Sequence, residues 1–281
     1  MGDLRTDSRT PAAPASQARG GLRVSALLRM EGVTKRFGGL AAVSGLDLHI
    51  DSGELAGLIG PNGAGKTTVF NLLTGVYVPT EGAITFDGRL INGLKPCRIA
   101  ARGIARTFQN IRLFRELTAL DNVKVAAHLR SRAGLAAAIF RTPGLLANDR
   151  ALDQAARALL ARLNLEHAAA SRAGDLPYGL QRRLEIARAL ATEPRLLLLD
   201  EPAAGMNPQE KAELMHLIRA IRQDFHLTVL LIEHDMRVVM GICERIYVLD
   251  YGEIIAEGTP EQIRRDPRVI AAYLGDEAVH C

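Results

Sequence analysis

Tryptophan is absent from this 281-residue sequence and aromatic residues make up only 4% of it, so the stacking platforms that usually hold single-stranded nucleic acid are scarce. A dominant charge sign is lacking too: 35 Lys and Arg set against 31 Asp and Glu leave a formal charge of +4. That balance describes a mixed surface rather than a basic arm, and no nucleic-acid partner is expected. Three cysteines, Cys97, Cys243 and Cys281, lie far apart without a CxxC pair, which argues against a disulfide framework and for cytosolic thiols. No apolar run approaches the roughly 20 residues that cross a bilayer, and residues 1 to 26 lack the apolar core of a signal peptide. Any membrane role must therefore go through partners.

What is present is a core. With 48% hydrophobic residues, a chain of this length can bury about 75% of its unfolded surface, enough for one large domain with a subdomain. Residues 1–26, rich in Ala, Pro, Ser, Gly and Arg without periodicity, read as a flexible tail. From Leu27 onward short apolar segments bounded by Gly appear, among them Leu46 to Ile50 and Leu55 to Ile59, and the second runs into GPNGAGKTT and an apolar helix from Lys66 to Leu73. Between Leu117 and Arg172 the composition turns to Ala, Leu and Arg at helical spacing, with breaks at Gly134 and at Pro143-Gly144. A helix from about Leu180 to Thr192 then leads into the apolar strand Leu196 to Leu199, and Thr228 to Ile232 repeats that strand type after another helix. Alternating helices and buried strands predict a parallel sheet covered on both faces.

Gly60, Pro61, Asn62, Gly63, Ala64, Gly65, Lys66 and Thr67 match GxxxxGK[ST], placed between a predicted strand and a predicted helix as a phosphate loop requires. Glycines let the backbone approach the phosphates, and a helix N-terminus faces their negative charge. Lys66 is expected to reach the β and γ phosphates, Thr67 to place its hydroxyl on Mg²⁺, and Thr68 to extend the ATP-binding set. A Gly-rich turn with an exposed lysine is the bland alternative.

The strand ending in Asp200-Glu201 delivers two carboxylates where an open parallel sheet binds its ligands, at the carboxyl ends of its strands. Asp200 is expected to hold Mg²⁺ through a water, and Glu201 to polarise the attacking water as general base. Taken alone, the pair could equally be a charged turn ahead of Pro202.

Together these motifs resemble the nucleotide-binding subunits of ABC transporters, over nearly all of the chain from Leu27 to about Gly275. The resemblance implies a P-loop NTPase of ABC type in the α/β class. Its mixed sheet core would carry an N-terminal antiparallel β region and an α-helical subdomain, inserted at about residues 110–192 of an ATPase domain spanning 27–281. In that family an aromatic side chain upstream of the phosphate loop stacks on adenine, and Phe37 in KRFGGL matches it. Gln109 in ARTFQNIRLF matches the glutamine loop, which contacts Mg²⁺ and the attacking water; His234 in LLIEHD matches the switch histidine at the γ phosphate.

The family's signature segment is usually LSGGQ, and here Leu176, Pro177, Tyr178, Gly179 and Leu180, followed by Gln181, take its place. In the family this segment caps the γ phosphate bound to the opposite subunit. Pro177 has neither hydroxyl nor N–H, and losing such a bond to a charged group weakens a contact by about 1.5–3 kcal/mol. The resemblance thus implies one strong and one weak composite site, with Tyr178, Gly179, Leu180 and Gln181 left as the trans contacts. Asn207 stands where the family more often has the aspartate of its dimer loop.

ARTFQNIRLFRELTALDNV, RRLEIARAL, DEPAAGMNP, IEHDMRVVMGICERIYVLDYG and the ending GTPEQIRRDPRVIAAYLG resemble the branched-chain amino acid importer ATPases in particular. This likeness implies ATP and Mg²⁺ as cofactors, and a second, related but distinct ATPase chain as partner. It further implies two transmembrane permeases, a periplasmic binding protein reached indirectly, and a peripheral place on the cytoplasmic face of a bacterial inner membrane. Urea or amide uptake and lipopolysaccharide export ATPases are rival readings, as is a soluble non-transport ABC ATPase, although one phosphate loop and no sustained heptads speak against the last. Pro177 and Leu180 also motivate a regulatory protein that no longer hydrolyses ATP, against which Glu201 stands. Arg98, Arg102, Arg106, Arg112 and Arg115 around the glutamine loop read as a solvated helix face, and the stretch Arg112 to Leu120 as the place where a permease docks.

Overall fold

The computed structural model describes residues 26–128 and 143–277. Cys281, the break expected at Gly134 and the tail expected over residues 1–26, Ala26 apart, lie outside the described residues. The described residues begin with two long antiparallel strands, β1 (Leu28–Phe37) and β2 (Leu40–Ile50), followed by β3 (Leu55–Ile59) and α1 (Lys66–Leu73). Then come β4 (Glu81–Phe86), β5 (Arg89–Leu90), α2 (Pro96–Ala100) and β6 (Ile104–Arg106). Among the described residues three longer helices, α3 (Ala119–Ala127), α4 (Pro143–Arg162) and α5 (Tyr178–Leu190), separate β6 from β7 (Leu196–Asp200). The rest alternates: α6 (Pro208–Asp224), β8 (Thr228–Ile232), α7 (Met236–Ile242), β9 (Arg245–Asp250), β10 (Glu253–Gly258), α8 (Pro260–Arg265) and α9 (Pro267–Glu277).

Two sheets result. β2-β1-β4-β5 form an antiparallel sheet, and a six-stranded sheet runs β10-β9-β3-β8-β7-β6. In the latter every pairing is parallel except that of β9 with the hairpin strand β10. β3, β7 and β8 are buried along their whole length, which is why they read as continuous apolar runs rather than alternating ones. One face of this sheet packs on α3, α5, α6 and α7 through Leu197, Leu199, Leu184, Ile218 and Val239. The other packs on α1 and the antiparallel sheet through Leu198, Leu230, Phe70, Leu28 and Phe86.

Pro143 and Gly144 are the first described residues of α4, where proline's missing N–H costs nothing in a first turn. Two expectations change in detail. α5 starts at Tyr178, with Pro177 in an extended conformation (φ −52°, ψ 149°) as its N-cap. The five arginines do not share a solvated helix face. Arg98 is on α2, Arg102 in the turn after it and Arg106 on β6, while Arg112 and Arg115 lie in the irregular stretch before α3. Of the five only Arg98 lies on the short helix, and Arg106 is drawn inward by a carboxylate partner.

Candidate functional site

β3 is followed by a loop whose glycines adopt φ values reserved for that residue: 154° at Gly60, 80° at Gly63 and 107° at Gly65. At Gly60 an added Cβ would lie 1.9 Å from the Leu249 carbonyl oxygen, and at Gly65 2.5 Å from that of Ala42. These two glycines are therefore demanded by the strands packed beneath the loop, whereas Gly63 has nothing within 4 Å and faces an open side. Lys66 is buried, and its Nζ donates to the carbonyls of Gly60 at 2.6 Å and Pro61 at 2.8 Å, inside the curve of the loop. α1 begins with no side-chain cap and no carboxylate in its first turn, so the positive end of its dipole is left for an external anion. Thr67 is exposed and Thr68 half-buried on that first turn.

β8 alone separates β3 from β7, which puts the ends of the two strands about 10 Å apart. Asp200, the last residue of β7, accepts a 2.6 Å bond from Arg106 Nη2, and Arg106 Nη1 donates to Asn71 Oδ1 on α1 at 2.7 Å. The phosphate-loop helix and the acidic strand end are thereby tied through one guanidinium. Glu201 follows with a left-handed backbone (φ 45°), a conformation that costs of order 1–3 kcal/mol in a non-glycine residue and recurs at functional positions. Its Oε2 accepts from Gln109 Nε2 at 2.7 Å and lies 3.7 Å from His234 Nδ1. Gln109, Glu201 and His234, apart by 92 and 33 positions in sequence (201 − 109 and 234 − 201), meet on one carboxylate at the carboxyl ends of the strands.

The loops carrying these groups are anchored by buried polar residues. Arg182 on α5 has a side-chain exposure of 0%; Nη1 donates to the Phe108 carbonyl (2.6 Å) and to Glu185 (2.9 Å), and Nη2 to the Gln109 carbonyl (2.7 Å) and the Tyr178 hydroxyl (3.0 Å). Glu185 in turn accepts from the Phe108 amide, and burial holds its carboxyl above the usual range. Beside His234, Glu233 accepts from the Ala203 amide at 2.7 Å, and burial likewise raises its carboxyl. Asp235 caps α7 and pairs with Lys211 at 2.6 Å, which holds its carboxyl low.

Phe37 lies at the end of β1, 43% exposed. Its ring meets that of Tyr77 edge to face at 5.0 Å, and Lys35 Nζ sits 5.1 Å from its centroid, leaving a partly open aromatic face. At the start of α5, Tyr178 is exposed and donates to the Ala204 carbonyl at 3.1 Å, and Gly179 is half-buried. Leu180 packs on the core and Gln181 donates to the Leu176 carbonyl at 2.7 Å, so these two turn toward their own chain. Asn207 caps α6 in a capping box with Glu210.

Sequence reasoning missed Arg106, Arg182, Glu233 and Tyr77. Arg182 and Glu185 carry a legible signal, since three-residue spacing puts them on one face of α5 with buried Ala189. Arg106 and Glu233 become visible only once the strands are paired.

Residues 43–204 match the family described as ABC transporter, and residues 253–279 match one described as branched-chain amino acid ATP-binding cassette transporter. The chain is 51% identical over 250 residues to the high-affinity branched-chain amino acid transport ATP-binding protein BraF of Pseudomonas aeruginosa, covering 89% of this chain and 98% of that one. The solved ADP conformation of MJ1267, an ATP-binding cassette of an ABC transporter, superposes with a TM-score of 0.77 at 30% identity, over 89% of this chain and 99% of that one. A dimeric structure of the cassette MJ0796 in a post-hydrolysis state bound to ADP and Pi gives 0.70 at 28% identity, over 83% and 98%.

Proposed function

We propose that this chain, which belongs to the ABC transporter family and is an ATP-binding, ATP-hydrolysing cassette of it, powers a membrane importer for branched-chain amino acids. The observation that carries the hydrolytic part is the meeting of Gln109 and His234 on the Glu201 carboxylate beside the phosphate loop. An open Gly63 flank, an uncapped helix N-terminus and Lys66 inside the loop suit a triphosphate. Phe37, with Tyr77 behind it, offers a ring for the base.

Thr67, Asp200 and the Gln109 side-chain oxygen are hard oxygen donors that suit Mg²⁺, completed by phosphate and water. When bound, Mg²⁺ neutralises charge on the transferring phosphoryl group. Glu201 takes the proton of the attacking water, Gln109 orients the carboxylate and the water, and His234 holds the γ phosphate. His234 is 62% exposed, as fits a group that must meet a ligand.

Asn207 and the start of α5 are read as surfaces toward a second, related cassette, with Tyr178 and Gly179 the outward residues of the signature and Leu180 and Gln181 bracing it. Lacking a serine, this end completes its partner's site more weakly than the partner completes this one. A groove of about 560 Å³ lined by Phe108, Arg112, Phe114, Val76 and Val125 opens beside the glutamine loop. Phe114, Val76 and Val125 are exposed there, and this face is read as the dock for a permease at the cytoplasmic side of the inner membrane, extending to Arg112–Leu120. Among the described residues no helix is long and apolar enough to cross a membrane.

The test is deletion of the chain in its native host, followed by uptake of radiolabelled leucine, isoleucine and urea. Loss of leucine and isoleucine uptake alone, restored by the wild-type chain, is expected. Unchanged leucine and isoleucine uptake refutes the cargo.

A further inference from the structure

Arg106 is held at more points than its place on a three-residue edge strand requires. One arm is 2.6 Å from Asp200 Oδ2, with side-chain exposures of 8% and 9%. The other reaches Asn71 Oδ1 at 2.7 Å. Its carbon lies 5.4 Å from the Phe70 ring centroid and 5.1 Å from that of Phe108. A guanidinium fixed this way cannot swing aside without giving up two hydrogen bonds and two aromatic contacts. One oxygen of Asp200 is committed to it.

We infer that Arg106 is the resident counter-charge of Asp200 and sets how steeply nucleotide binding at this site depends on divalent cation. The inference rests on the reading of Asp200 as the cation's carboxylate. A cation held at Asp200 lies within a few ångströms of a fixed positive charge, in a region too dry for salt to screen the repulsion. Without that charge, Asp200 is a buried carboxylate lacking its partner, and the cation supplies the missing neutralisation. Metal-free ATP, an anion, loses a favourable neighbour at the same time. Both effects increase the preference for the metal complex. Arg106 is thus a positioning residue that acts through Asp200.

The experiment measures the affinity of the full chain for a fluorescent ATP analogue in EDTA and in saturating Mg²⁺, and takes the ratio of the two dissociation constants. In Arg106→Gln this ratio is expected to rise about tenfold, the effect one adjacent charge has on a neighbouring ionic equilibrium. Arg106→Lys, which keeps the charge, stays within about threefold of wild type by the same measure. A merely structural role would lower stability and weaken both affinities alike. An unchanged or lower ratio in Arg106→Gln, with wild type still favouring Mg²⁺, overturns the inference alone. A wild-type chain indifferent to Mg²⁺ overturns the metal reading beneath it. Should Arg106→Gln not fold, Asp200→Asn is compared with Arg106→Gln/Asp200→Asn. The ratio must be higher in the double variant than in Asp200→Asn, because in the single variant Arg106 opposes the cation with no carboxylate between them, and the absence of that rise overturns the inference.

Discussion

The two ends of the chain's polar machinery are finished to different degrees. At the strand ends, each acting group is tied to another within the same chain: Gln109 to Glu201, Asp200 to Arg106, Lys66 to its own loop. At the start of α5 the bonds of Tyr178 and Gln181 also close on the chain itself, toward Ala204 and Leu176, but Pro177 brings no capping side chain. In the first region the polar groups satisfy one another within the chain. The second offers backbone and helix dipole to something outside it. Arg182 lies between them, holding the glutamine loop with both arms and Tyr178 with one of them.

That contrast can be broken at its strongest point first. Glu201→Gln in the assembled transporter is expected to cut ATP turnover by about 10²–10⁴-fold, the contribution of a positioned base, with Mg-ATP affinity nearly unchanged. Steady-state turnover beside equilibrium binding checks this, and full turnover would refute the assignment. Next, Arg182→Met leaves the Glu185 carboxyl buried without its partner and is expected to cost about 3–5 kcal/mol. In a chain of this size that is a drop of roughly 6–20 °C in melting temperature, seen by calorimetry. Pairing it with Glu185→Leu removes the unpaired carboxyl and should recover part of the loss, while the Phe108 and Gln109 carbonyls still lack their donor. The smallest effect sharpens the contrast: Pro177→Ser supplies the missing hydroxyl, worth about 1.5–3 kcal/mol to a charged partner. It is expected to lower the ATP half-saturation of the assembled complex about tenfold while leaving the affinity of the isolated chain unaltered.

Much of the core was readable because its signals are local. The buried strands Leu196–Asp200 and Thr228–Ile232 are unbroken apolar runs, and α1 falls where the glycine-rich loop and the following apolar residues place it. The arginines near Gln109 were misjudged for the opposite reason. Arg106 stands 94 residues from Asp200, and nothing near it in sequence shows that β6 pairs with β7. The role of the loop glycines also shifted: Gly60 and Gly65 answer to the carbonyls of Leu249 and Ala42, which no motif reveals.

The sequence by itself determined the phosphate loop, the acid pair and the alternation of helix and strand, since each is written in consecutive residues and periodicities of 2 or 3.6. Only the tertiary structure decided that Gln109, Glu201 and His234 share one carboxylate, that Arg106 neutralises Asp200 and that Arg182 disappears beneath the glutamine loop. Those outcomes depend on strand order and burial, which emerge when distant segments exclude water together.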